Sequence, residues 1–282
     1  MPYKKMNFKR HDNILYIIAI VFGVVLNLSN PFALQTNPIS FSDIVFSQSL
    51  FFRNSSIEFL SFGDILTLLK HMFPVFVFQA IEGISTYRFY CISGAYVFSR
   101  ITNREKWYLK QMFELFLKTT AFEGIYLLSS TCTIVLSVSH YLDECFWVVL
   151  SFHYIGWVLW LFIFVMIINT LSIYVGSSNA FFGALIIQIL LIGALLSISQ
   201  AGYGMETKSL LARINPFTCL IPELHSSRLF LELDYSRHIL NGVYMEDSLI
   251  LLSILCATML VVSKYVICRL DIMSCNAEYG GL

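Results

Sequence analysis

Four cations recur in SRITNREKWYLKQ, residues 99–111: Arg100, Arg104, Lys106 and Lys110, with Asn103 and the indole of Trp107 among them. Arg100 and Arg104 are one helical turn apart, as are Lys106 and Lys110, while Tyr96, Val97, Ile101, Tyr108, Leu109 and Met112 offer an apolar surface. Such a helix supports two kinds of chemistry. Arginine forks can grip carboxylates on a partner protein with an aromatic anchor beside them. Alternatively, the cations can bind anionic lipid headgroups, at about 1 kcal/mol per basic residue near the surface.

A second set of charges lies inside apolar runs: Asp64, Lys70, Glu82 and Glu123. Charge is costly in lipid, so such groups mark either a pathway or an ion pair. Asp64 and Lys70 are six positions apart, nearly opposite on a helix, and do not make a turn-spaced pair. Glu82 and Glu123 fall at similar depths, within reach of Arg88 or Lys118. Enzyme chemistry has less support. His140, Asp143, Glu144 and Cys145 in HYLDEC match no recognised metal spacing, and His153 beside Tyr154 and Trp157 reads as an interfacial residue rather than a catalyst. The seven cysteines form no CxxC pair.

The elements that must carry these residues follow from composition. The chain is 57% hydrophobic and 13% charged, with a formal net charge of zero, and its mean hydropathy is +0.72. That leaves too little polar surface to cover a soluble globule of 282 residues, and no bulk charge to attract nucleic acid. A helix needs roughly 20 apolar residues to cross a hydrocarbon layer about 30 Å thick. Spans are expected near 13–29, 59–81, 119–139, 147–174, 179–199 and 247–268, the first retained rather than cleaved. The fourth is overlong, and GSSN at 176–179 is the only punctuation before the fifth, so those two form a tight helical hairpin. In this arrangement twelve Lys and Arg fall on one side and five on the other, which puts both termini in the cytoplasm. The basic stretch then lies on the inner face between spans two and three. Residues 200–246 lie outside and are apolar enough to dip back against the spans as short helices. Cys145 and Cys219 share that outer side, where their pairing stays open, and Asn54 begins an outer NSS sequon. Neither repeat nor low-complexity tract divides this single membrane domain.

This layout resembles the permease subunit of ABC-type-2 exporters. SRITNREKWYLKQ is similar to that family's inner segment of arginine and lysine between spans two and three, and INPFTCLIP to the Asn-Pro start of its outer segment after span five. The resemblance implies an all-α polytopic protein of six spans, N-in and C-in, in the plasma membrane, with a cytoplasmic coupling helix at 99–111 and re-entrant outer helices before span six. It implies that Arg100, Asn103, Arg104, Lys106, Trp107 and Lys110 contact an ATPase. The chain carries no GxxxxGK[ST] loop, so ATP and magnesium would be bound by a separate ATP-binding cassette subunit, with a second permease copy completing the pathway. A small permease of this kind resembles those serving antimicrobial-peptide export or immunity. The alternative class is a non-transporting immunity or sensor protein that binds a peptide through residues 200–246.

Overall fold

The computed structural model describes residues 8–28, 39–42, 44–45, 62–84, 103–137, 140–142, 146–200, 203–229 and 242–269. The helices are α1 (Phe8–Leu28), α2 (Phe62–Glu82), α3 (Arg104–Ser137), α4 (Phe146–Val175), α5 (Ser177–Gln200), the short α6 (Met205–Ile214) and α7 (Met245–Arg269). Four of them, α3, α4, α5 and α7, are long and apolar enough to cross a membrane, and α1 holds a shorter apolar stretch at Asn13–Leu28. The protein is an all-α membrane protein.

The long helices form on apolar runs, and two of their ends carry recognisable signals. Asn103 caps α3, its side-chain oxygen accepting from the Lys106 N–H at 3.0 Å, which satisfies one of the donors left free at a helix start. Between α4 and α5 stands a single residue, Gly176, at φ 82°. A side chain is disfavoured in that left-handed conformation, and glycine lets the chain reverse within one residue. The expected hairpin at 176–179 is thus present. Pro74 inside α2 leaves the Lys70 carbonyl without its helical N–H donor.

The central element is α4. Nineteen of its residues, from Phe146 to Ile173, are buried, and its neighbours are α2, α3, α5, α7 and the turns after α6, while Trp147, Ser151 and Ile155 form an exposed stripe over its first turns. A helix apolar on most of its circumference belongs in the middle of a bundle. Trp160, Leu161, Val165 and Ile168 form its core, with Phe78 of α2 and Phe122 of α3 stacked 4.6 Å apart alongside. Beyond the helix ends, β1 (Ile39–Ser40) pairs in parallel with β2 (His140–Tyr141), tying the segment after α1 to the segment after α3.

One expectation requires correction. Residues 104–111 do not form a helix separate from the third span, and the helix that carries that span begins at Arg104, not near 119. Arg104, Lys106, Trp107 and Lys110 occupy the first two turns of α3, which continues unbroken for 34 residues, about 51 Å. Charges at Lys110, Glu114 and Lys118 mark where lipid would end, and good helix formers do not stop a helix there. Arg100 lies outside the described residues.

Candidate functional site

The bundle has a basic end, where α3 starts and α7 finishes, and a far end, where α6 and its following turns lie. Glu82, at the last turn of α2, accepts from Lys118 of α3 at 3.5 Å, and its backbone carbonyl accepts from Asn169 of α4 at 3.2 Å. Fourteen residues of α3, about 21 Å, lie between Arg104 and that pair. Those first turns are held by α7. The Tyr108 hydroxyl is buried against Ser263, and Glu105 meets Lys264 at 3.2 Å. Trp107 packs half-buried against the bundle core, so its indole supports the bundle rather than standing free as an anchor. Lys106 is exposed, and Lys110 sits 3.9 Å from Glu114 one turn on. The basic end is a two-helix strut with cations on its outer faces.

The interior between the two ends is not wholly apolar. Gln79 of α2 and Gln188 of α5 are fully buried and exchange hydrogen bonds of 2.8 and 3.2 Å, and Gln188 also accepts from the Trp160 indole at 3.2 Å. Each amide bonds across to another helix, and Gln188 donates as well to the Ala184 carbonyl of its own helix at 3.4 Å, so the three side chains fix α2, α4 and α5 at one level. Nearby, His71 of α2 meets the Tyr126 hydroxyl of α3 at 3.3 Å. Lys70 is partly exposed, and the side chain of Asp64 lies outside the described residues. Glu123 of α3 is buried, far from the Glu82–Lys118 pair by about 7.5 Å of helix rise. His153 lies inside the bundle, 3% exposed with its ring against Trp157.

At the far end the chain re-enters the bundle. After α6, Asn215 donates to the Leu191 carbonyl of α5 at 2.8 Å and accepts the Phe217 N–H at 3.0 Å, which turns the chain inward across Pro216. Phe217 is wholly buried and its ring meets Trp160 edge-on at 5.7 Å, halfway along α4. Two 3-10 turns, Thr218–Leu220 and Pro222–Leu224, follow along α4, where Gly156 leaves its face open to the Cys219 carbonyl and Leu220. Irregular backbone at this depth is tolerated because protein surrounds it. Cys219 is a buried free thiol, and Cys145 lies outside the described residues.

His225 closes the re-entrant segment. Its ring bonds the Ile221 carbonyl and the Ser248 hydroxyl of α7, both at 2.7 Å, and lies 5.1 Å from Phe152. Burial pushes its imidazole down to about 4. The chain then latches onto α7: Glu246 accepts from the Ser227 hydroxyl at 2.6 Å and the Arg228 N–H at 3.1 Å, and Arg228 pairs with Asp247 at 2.8 Å. A cavity of about 100 Å³ remains between segment and α7, lined by Arg213, Thr218, Cys219, Tyr244, Asp247 and Ser248 among others.

The charged residues singled out in the sequence thus separate. Glu82 is an ion-pair partner, Glu123 lies apart from it, and the strut cations surround neither. Gln79, Gln188, Asn169 and His71 were not singled out, although each is a polar residue within an apolar run, as in FVFQA and LIIQIL. No protein-family model, curated protein or solved structure matches the chain.

Proposed function

We propose that the chain is the permease subunit of an ATP-driven exporter whose ATPase is a separate subunit docked on the basic end. The observation carrying this reading is the strut: α3 runs about 21 Å past its Glu82 contact, exposes Lys106 and Lys110, and is clamped to α7 through Tyr108 and Glu105. A push on that end is transmitted along one uninterrupted helix into the bundle. The four helices long and apolar enough to cross a membrane, and the re-entrant Asn215–Leu224 segment, support the same reading. In it α1 and α2 also span, both termini are cytoplasmic and the membrane is the plasma membrane. A second copy completes the pathway, and a peptide, drug or lipid-like cargo moves outward.

A cysteine placed at Lys106, with the native cysteines replaced, should crosslink in host membranes to an ATP-binding chain. Labelling of that cysteine by an impermeant maleimide from outside the cell overturns the assignment. The second reading, a non-transporting protein that binds a peptide outside, draws on the far-end cavity, whose 100 Å³ accommodates one side chain of such a peptide. It requires no ATPase, so the crosslink separates the two.

A further inference from the structure

Glu123 is a buried acid set apart from the ion pair at Glu82. It lies on α3, 2% exposed, and its Oε2 is wholly enclosed with no hydrogen-bond partner among the described residues. The nearest lysine on its own helix, Lys118, belongs to Glu82. An ionised carboxylate enclosed in this way, with no donor to Oε2 among the described residues, costs several kcal/mol. A bound proton removes that cost.

The surroundings supply polar neighbours but none that neutralises it. Tyr126 on α3 and Tyr154 on α4 both feel its charge. The Tyr154 hydroxyl already donates to the Thr120 carbonyl at 3.0 Å, packed in the space that Gly124 leaves open. Tyr126 is engaged with His71 of α2, which in turn interacts with Lys70 and with His153 of α4. From α1 the same core receives Leu15, Ala19 and Phe22, and from α7 Leu252 and Cys256. Two tyrosines, on α3 and α4, therefore lie near the acid, and His71 of α2 bonds the first of them.

We propose that Glu123 is a proton-binding site within the membrane. It holds a proton while the bundle is packed as described. When the bundle opens, water reaches the carboxyl, the O–H bond breaks, and the proton passes to that water as hydronium, leaving a hydrated carboxylate. The site requires only this chain, so it stands or falls separately from the ATPase assignment.

Infrared spectroscopy of the protein in lipid vesicles at neutral pH tests it. The expected result is a carbonyl-stretch band of a protonated carboxylic acid that shifts in D2O and is absent from Glu123→Gln. No such band in the wild type, or an unchanged band in the variant, overturns the proposal. If Glu123→Gln does not assemble, dicyclohexylcarbodiimide, which attacks protonated carboxyls, is applied to the wild type and its adduct located by mass spectrometry. An adduct on Glu123 that forms more slowly as pH rises is expected, and an unmodified Glu123 overturns the proposal.

Discussion

Gln79 and Gln188 exchange a reciprocal pair of hydrogen bonds, 2.8 and 3.2 Å, between α2 and α5 in the middle of the bundle. Neither amide reaches solvent, so each depends on the other. Gln188→Leu leaves Gln79 unsatisfied and is expected to destabilise the protein by about 1 kcal/mol. Replacing both by Leu should recover only the part due to Gln79, since the Trp160 indole still lacks its acceptor, and a double-mutant cycle read from unfolding in detergent gives the coupling between the two amides.

Asn215 makes two side-chain bonds, to Leu191 of α5 and to the Phe217 N–H. Asn215→Ala removes both, at a cost of about 2 kcal/mol at roughly 1 kcal/mol each. The loss falls on the re-entrant segment rather than on the spans. Proteolysis between Asn215 and Arg228 should therefore accelerate by more than tenfold while the helices stay intact by circular dichroism.

His225 makes the far end sensitive to acid. Its folded value, about 4, lies below the unfolded value near 6.5, so between those limits the unfolded segment binds more protons than the folded one. Stability is complete above about 6.5, falls as pH drops toward 4, and levels below that. Thermal unfolding followed across this window should show the decline, and His225→Gln, which keeps one polar partner without titrating, should flatten it.

These features differ in how far the sequence discloses them. Apolar runs located the four described helices long and apolar enough to cross a membrane, because burial and lipid both demand them, and GSSN located the hairpin because a φ of 82° demands glycine. The start of α3 was misplaced by fifteen residues, from 119 to 104, because charge marks the edge of lipid while helix propensity sets the edge of a helix. Trp107 read as a free anchor for the same reason: a helix lying flat on the surface and one entering the bundle expose different faces. Gln79 and Gln188 are visible as lone amides in apolar runs, but sequence alone does not say that they meet, since α2 and α5 are separated by α3 and α4 along the chain.

Tyr108 joins the strut, its hydroxyl buried against Ser263 of α7. Tyr108→Phe retains the ring and loses the bond, costing about 1 kcal/mol in stability. Under the exporter reading, ATP turnover by the docked subunit is retained but its stimulation by cargo falls, because α3 and α7 no longer move as one. By comparison, Lys264→Ala breaks a pair that is 61% exposed at Glu105 and 39% at Lys264, and should change stability by less than about 1 kcal/mol.

The central claim is that the basic end of α3 works against an energy-supplying subunit. The most direct measurement is ATP turnover of the chain purified from its host membranes under mild detergent, together with whatever co-elutes. A co-eluting ATPase whose turnover loses its stimulation when Arg104 and Lys110 are both changed to Glu is the predicted result. A pure chain with no nucleotide-hydrolysing companion, or a companion indifferent to those two charges, contradicts it.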